Sequence, residues 1–166
     1  MRAAGVSVRV DPSLGPSPDR SLPPVPIRWS LSTVGPDLLK AAEANSQDAN
    51  DMVSIWGLGF NAELGGSLAP GLWMHGGAQA VLKSCEPGVL FRDLSACNAY
   101  ANALTAAASV KVATTLILGE RDMMTPAKAG KALAAAIPHA KTVVVPGAGH
   151  MIMAERPDEL LAALKG

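Results

Sequence analysis

The spacing of apolar residues predicts a helical middle for this chain. Residues 36–42 begin with a proline suited to the first helical position and continue with leucine and alanine on one face. A second helix is predicted from Asp48, as its N-cap, to Trp56. Seven glycines then predict a loop over 57–77. Two further helices are predicted, over 78–86 and 90–108. No strand is predicted between residues 36 and 108.

The pattern changes near residue 112, where short apolar and β-branched runs alternate with helices. The runs 114–118 and 142–145 predict strands that are buried on both faces of a parallel sheet. An apolar helical face follows Pro126, and Pro157 opens a last helix. A right-handed crossover makes the two strands of this β-α-β-α order parallel. The fold class is therefore α/β.

The first 35 residues have a different composition. Prolines recur among serines and arginines, and the only apolar alternation lies at 6–10. Such a segment is predicted to be disordered or polyproline-like and to contribute no core. The expected organisation is a leader over 1–35, a helical segment over 36–108 and an α/β segment over 109–166.

Charge and composition narrow the classes of partner. The formal net charge of the 166 residues is +0, and the charged residues are scattered. No nucleic-acid or membrane partner is therefore expected, and a small neutral ligand is favoured. No run approaches the roughly 20 apolar residues of a membrane span, and the N-terminus lacks a secretory pattern, so a cytoplasmic protein is expected.

Cys85 and Cys97 are the two cysteines of the chain, and neither has metal-ligand spacing to another Cys or His. They are interpreted as reduced thiols on helices, with a disulfide between them as the alternative. No metal and no cofactor is expected.

Two polar residues follow the predicted strands at their carboxyl ends, where reacting groups gather in open parallel sheets. Asp122 follows the first strand and His150 follows the second. If the strands are neighbours, these side chains meet at one edge, roughly 2.6 to 3.2 Å apart. A carboxylate that orients an imidazole makes two members of a nucleophilic triad, although the two groups could instead only tie their loops together.

The residues around this pair form two signatures in order. One is G-x-x-D-x-x-x-P after the first strand, carried by Gly119, Asp122 and Pro126. The other is G-x-G-H with a Glu and a Pro downstream, carried by Gly147, Gly149, His150, Glu155 and Pro157. Residues 112–166 thus resemble the C-terminal end of an α/β hydrolase of the esterase, lipase and dehalogenase type. The resemblance implies that Asp122 is the triad acid, that His150 is the base and that 36–108 is a helical cap or lid.

The nucleophile of that family is not recognisable here. The family places its serine in a G-x-S-x-G elbow ahead of the acid, and no G-x-S-x-G is present. Ser67 and Ser84 lack the elbow's glycine spacing and a preceding strand. His75 begins a His-Gly-Gly run similar to an oxyanion-hole segment, but that segment belongs ahead of the nucleophile.

Other residues near the pair have simpler explanations. Glu155 lies near a helix start, where the helix dipole explains an acidic residue better than catalysis does. The neighbouring methionines favour an apolar substrate pocket and core filling about equally, and they are Met123, Met124, Met151 and Met153.

The sequence therefore predicts a partial α/β-hydrolase fold, a helical cap followed by β-α-β-α with an incomplete parallel sheet. The expected function is that of a serine-type hydrolase of a small apolar ester, here a fragment without the nucleophile elbow. The chain alone is expected to be inactive, and self-association or pairing with an N-terminal half through the exposed sheet edge is expected. The alternatives are a non-catalytic remnant that binds a small hydrophobic ligand or partner chain, and a truncation product without a stable fold.

Overall fold

The computed structural model describes residues 7–10, 33–63 and 71–165. The strands are β1 (Ser7–Val10), β2 (Thr114–Gly119) and β3 (Lys141–Val145). The helices are α1 (Pro36–Glu43), α2 (Gln47–Trp56), α3 (Phe60–Glu63), α4 (Met74–Lys83), α5 (Val89–Ala99), α6 (Ala103–Ala108), α7 (Ala127–Ala136), α8 (Ile152–Glu155) and α9 (Pro157–Lys165). None of these helices is both long and apolar enough to cross a membrane.

The sheet has the order β1-β2-β3. β2 and β3 are parallel, with Thr115 opposite Lys141 and Gly119 opposite Val145. The crossover between them contains α7, as the β-α-β pattern predicts. The α/β class with an incomplete parallel sheet is confirmed.

The structure differs from the predicted leader at Ser7–Val10. This segment forms β1, which pairs antiparallel with β2, with Ser7 opposite Ile117. A period of two suits a strand, and Val8 and Val10 are β-branched residues at that period. The rest of the predicted leader up to residue 32 lies outside the described residues. At the C-terminal end of the predicted leader, the described structure begins before Pro36, and the Val34 N–H donates to Asn98 Oδ1 at 2.7 Å.

Apolar packing on the two faces of β2 makes the core of the α/β segment. Leu116 and Leu118 lie on one face, against residues of α6 and α7 that include Ala107 and Leu133. Ile117 lies on the other face in a second cluster, with Val145, Ala148 and Ile152. Leu116, Ile117 and Leu133 are at most 2% exposed. β2 is thus held from both sides, and its carboxyl end is fixed.

β3 differs from the expectation of a strand buried on both faces. Residues 141–144 are exposed, and Val145 is buried. Residues 141–144 are exposed because β3 lies at an edge of the sheet, where it pairs with β2 alone among the described strands. The run 142–145 has the composition of a buried strand without the neighbours that would bury it.

The helical segment packs around a cluster of its own. Residues from α1, α2 and α5 form it, and they include Leu38, Ala42, Ala49 and Leu94. The predicted N-cap Asp48 of α2 is wrong, because Ser46 occupies that position and its side chain accepts from the Asp48 N–H. Serine and aspartate are both good N-caps, so the composition did not separate them.

Two element boundaries in this segment also differ from the prediction. The predicted loop over 57–77 contains α3 and the start of α4, while residues 64–70 lie outside the described residues. Gly76 lies within α4, and the Trp73 ring lies where a Cβ on Gly76 would be, which favours a glycine at this helical position. The predicted helix 90–108 is divided into α5 and α6 at Tyr100, whose backbone is extended. This division lets Ala107 of α6 reach the core against β2.

Candidate active site

The loops that follow β2 and β3 lie against each other at the carboxyl edge of the sheet. The Glu120 N–H donates to Val145 O at 3.1 Å, and the Arg121 N–H donates to Ala148 O at 2.8 Å. Gly119 allows this approach, since a Cβ there would lie 2.7 Å from Ala148 O and would overlap Gly149 O. Main-chain contacts thus fix the loop of Asp122 relative to the loop that carries His150.

Asp122 and His150 meet at this edge. His150 Nδ1 lies 2.9 Å from Asp122 Oδ2, which confirms the proximity predicted from the sequence. The side chains are 1% exposed for Asp122 and 13% exposed for His150. The contact is therefore largely shielded from water, which strengthens the interaction between the two groups.

Asp122 is held by three further hydrogen bonds. Its Oδ1 accepts from the N–H groups of Met124 at 2.9 Å and Thr125 at 2.8 Å. The Thr125 hydroxyl donates to Oδ2 at 2.7 Å, and its oxygen also lies 3.1 Å from His150 Nδ1. Thr125 was not singled out from the sequence. The available signal was an Asp followed by a Thr in a turn, where such side chains commonly bond to nearby main-chain groups.

These contacts determine the ionisation of Asp122 and the tautomer of His150. Burial opposes ionisation, but the hydrogen bond and charge of His150, with the Thr125 bonds, outweigh it and hold the pKa of Asp122 below its ordinary value. An ionised carboxylate only accepts hydrogen bonds, so His150 Nδ1 carries the hydrogen. When the ring is neutral, its Nε2 is therefore the unprotonated nitrogen. Among the described residues, no hydrogen bond to Nε2 is found.

The lowered pKa of Asp122 predicts an acid-sensitive contribution to stability. The unfolded chain binds this proton more readily, so the contribution is fully present above the unfolded pKa of about 3.9 and is lost as the pH falls through the folded value. Asp122→Asn is expected to lower the free energy of unfolding by about 1 to 3 kcal/mol at pH 7 and to flatten its decline below about pH 4. Denaturant unfolding from pH 7 to pH 3 measures both effects.

Asp158→Asn is the matched control for this prediction. Asp158 is an exposed carboxylate in the first turn of α9. Its variant is expected to keep the pH dependence of the wild-type chain. If the free energy of unfolding falls equally steeply with decreasing pH in the Asp122→Asn variant and in the wild type, the Asp122 carboxylate is not the source of the acid-sensitive stability.

Glu155 departs from the helix-dipole explanation. Its carboxylate is 2% exposed and accepts from the Gly149 N–H at 3.0 Å and the Gly59 N–H at 2.9 Å. The Gly59 bond joins residues 96 positions apart, which a pattern of local residues does not reveal. The helical segment thus contacts the loop of His150 through this buried carboxylate.

The other candidate residues lie elsewhere. Ser84 ends α4, and its hydroxyl donates to Val81 O at 2.8 Å. His75 lies in α4 beside the Trp73 ring, with 6.1 Å between ring centroids. The Gly77 N–H donates to Trp73 O within the helix, so it is not open to an oxyanion. Ser67 lies outside the described residues.

Of the four methionines that flank Asp122 and His150 in the sequence, two are half-buried and two are exposed. Met124 Sδ and Met151 Cγ each lie 3.8 Å from the position of a Cβ on Gly57. Met123 is 64% exposed and Met153 is 47% exposed. Met124 and Met151 are half-buried, which is compatible with core filling and with a substrate-facing role alike.

Cys85 and Cys97 are not joined in a disulfide; both are half-buried, and both line one small apolar cavity of about 100 Å³. The cavity lies between α4 and α5, in the helical segment. Within the described ranges, no group of three or more His, Cys, Asp or Glu side chains is placed to hold a metal ion.

Solved structures share the fold of this parallel strand pair and its flanking helices. An esterase from Thermogutta terrifontis has a TM-score of 0.64 and 19% identity, covering 82% of this chain and 51% of that one. A thermophilic esterase has a TM-score of 0.61 and 26% identity, covering 80% and 49%. A bromoperoxidase from Bacillus anthracis has a TM-score of 0.59 and 17% identity, covering 85% and 51%.

The chain belongs to the alpha/beta hydrolase family, whose model matches residues 1–164. It spans about half the length of the solved structures it matches. No curated protein sequence matches it.

Proposed function

We propose that this chain provides the acid and the base of a serine-type hydrolase that cleaves a small apolar ester or a similar substrate. The observation that carries the proposal is the 2.9 Å contact between a buried carboxylate and a histidine whose Nε2 is unbonded among the described residues. Asp122 is the acid and His150 is the base. The exposed Met123 beside the site supports an apolar substrate.

The proposed chemistry uses a serine that is not recognisable in this sequence. His150 Nε2 takes the proton of the serine hydroxyl as its oxygen attacks the ester carbonyl. The imidazolium then gives this proton to the leaving alcohol, and an acyl enzyme forms. Water attacks the acyl group in the same way, with His150 again taking and returning a proton. Asp122 stays ionised and keeps the Nδ1–H directed toward itself.

The helical residues 36–108 are proposed to act as a cap beside this site. The segment contacts the loop of His150, because the Met151 N–H donates to Gly57 O at 3.0 Å and the Gly59 N–H donates to Glu155. A cap that rests on the base loop would shield the reacting groups from water.

A non-catalytic protein that binds a small apolar ligand is the second candidate. The cavity lined by Leu82, Leu90 and Leu94 favours it, because its walls are largely apolar. Its volume of about 100 Å³ is below the roughly 300 Å³ at which ligand pockets usually begin. The hydrolase proposal is therefore the better supported one.

Complementation with a nucleophile tests the proposal. In the presence of the chain alone, a chromogenic acyl ester is expected to hydrolyse at the uncatalysed rate, because neither a serine elbow nor oxyanion-hole amides are recognisable in the sequence. Mixed with an N-terminal half of an α/β hydrolase that carries G-x-S-x-G, it is expected to turn over the ester. The half is proposed to bind at the open edge of the sheet. The measurement is initial rate against the concentration of each part.

The N-terminal half alone is the control, and its activity is expected to stay at background. Turnover by the chain alone would contradict the need for an added nucleophile. Binding of the two parts without any turnover would instead favour the non-catalytic candidate.

A further inference from the structure

Glu155 is a buried residue whose carboxylate is not paired with a cation among the described residues; the neighbouring Arg156 guanidinium donates to the Glu155 main-chain oxygen at 3.0 Å. The residue is 2% exposed, and no ion pair to it is found in the part of the chain that the structure describes. Burial of a carboxylate is costly unless hydrogen bonds replace its water. In Glu155 these bonds come from main-chain N–H groups, which are good partners for an ionised carboxylate.

The two N–H groups belong to distant segments of the chain. Gly149 precedes His150 directly, and its N–H lies 3.1 Å from Glu155 Oε1 and 3.0 Å from Oε2. Gly59 follows α2, and its N–H donates to Oε2 at 2.9 Å. One carboxylate therefore joins α8, the loop of His150 and the helical segment.

The segments approach too closely for side chains at these positions. A Cβ on Gly59 would lie 2.6 Å from Gly147 O and 2.8 Å from Glu155 Oε2. A Cβ on Gly149 would lie 2.9 Å from Glu155 Oε1 and would overlap the Gly59 nitrogen. The glycines therefore permit main chain to pack on main chain around the Glu155 carboxylate.

The peptide groups on both sides of His150 are thereby anchored. The Gly149 N–H is bonded to Glu155, and the Met151 N–H donates to Gly57 O at 3.0 Å. The His150 ring reaches Asp122 only if the main chain at 149–151 keeps this position.

We propose that Glu155 is a positioning residue that holds His150 against Asp122 through the Gly149 N–H. It acts on the base through the main chain and without contact with a substrate. The inference rests on the proposed function only in treating Asp122 and His150 as catalytic. The hydrogen bond between these two side chains can be measured without turnover.

Nuclear magnetic resonance of the full chain labelled with ¹⁵N-histidine tests this inference. The chain has three histidines, so the His150 signals are assigned by comparison with a His150→Gln variant. The ¹⁵N shifts give the ring tautomer, and exchange of the Nδ1 hydrogen reports opening of the contact with Asp122. In Glu155→Gln, exchange is expected to be about tenfold to a hundredfold faster, with loss of the Nδ1–H tautomer.

Glu120→Gln is the matched control. Glu120 also accepts a main-chain N–H of the same loop, that of Gly147 at 2.9 Å, but its side chain is 52% exposed. This variant is expected to keep the tautomer and the exchange rate of the wild type. If Glu120→Gln changes the His150 tautomer and the Nδ1–H exchange rate as much as Glu155→Gln does, then loss of any carboxylate bonded to this loop releases the ring. That result would overturn the specific role of Glu155.

A folded Glu155→Gln chain with wild-type tautomer and exchange would also overturn the inference. If the Glu155→Gln variant does not fold, hydrogen exchange in the wild-type chain tests the inference instead. In a uniformly ¹⁵N-labelled sample, the Gly149 N–H and the His150 Nδ1–H are expected to exchange through one opening, so that their protection factors, each relative to the intrinsic exchange rate of that group, agree within about a factor of ten. Independent rates would contradict the inference. A normal result here with no turnover in the complemented mixture would reject the hydrolase proposal and leave the positioning role intact.

Discussion

In the mixture with a serine-bearing N-terminal half, His150→Ala is expected to reduce ester turnover by about 10⁶-fold. The imidazole is both the acceptor of the serine proton and the donor to the leaving alcohol, and no other described side chain takes its place beside Asp122. Asp122→Asn is expected to cost about 10⁴-fold, because an amide no longer holds the ring with its hydrogen on Nδ1. Rates of chromogenic ester hydrolysis at saturating N-terminal half measure both losses.

His75→Ala is the control for the loss of a histidine. His75 lies in α4 beside Trp73, it makes no hydrogen bond or ion pair with either site loop among the described residues, and alanine is a good helix former. This variant is expected to retain the rate of the wild-type mixture. If His150→Ala keeps more than about a tenth of the activity, the assignment of the base is wrong.

Gly119→Ala is expected to destabilise the fold by about 3 kcal/mol. The added Cβ would overlap Gly149 O and lie 2.7 Å from Ala148 O, and both atoms belong to the main chain of the β3 loop. Main chain cannot yield as a flexible side chain can, so the two site loops must separate. Chemical denaturation measures the loss, and the His150 Nδ1–H signal is expected to weaken in the folded fraction.

Gly77→Ala is the matched control for a single added methyl group. Outside the neighbouring residues and backbone of α4 itself, no described atom lies within 4 Å of a Cβ at this position. Alanine in a helix interior is expected to raise the free energy of unfolding by about 0.5 to 1 kcal/mol. Equal effects of the two substitutions would mean that the close approach at Gly119 does not limit stability.

The α/β segment was predicted well from the sequence, and for physical reasons. The limits of β2 and α7 follow from local features, a β-branched run ending at Gly119 and an apolar face behind Pro126. Parallel pairing follows from the handedness of the crossover. Because both loops then leave the same sheet edge, the contact of Asp122 with His150 could be predicted before any coordinates were known.

What the sequence did not predict depends on distant neighbours. The run 142–145 reads as a buried strand, and its exposure depends on how many strands surround it. Glu155 was explained by a nearby helix start, whereas one of its partners, Gly59, lies 96 residues away. Local patterns carry no information on such contacts.

The position of β1 has a consequence for how another chain could join this sheet. β2 is paired on both sides, with β1 along one edge and β3 along the other. A strand from outside can add directly beyond β3, but it can reach β2 on the opposite side only by exchange with Ser7–Val10. Pairing of an outside strand with β2 on that side is therefore a strand-displacement reaction, which requires release of the four-residue β1 ladder.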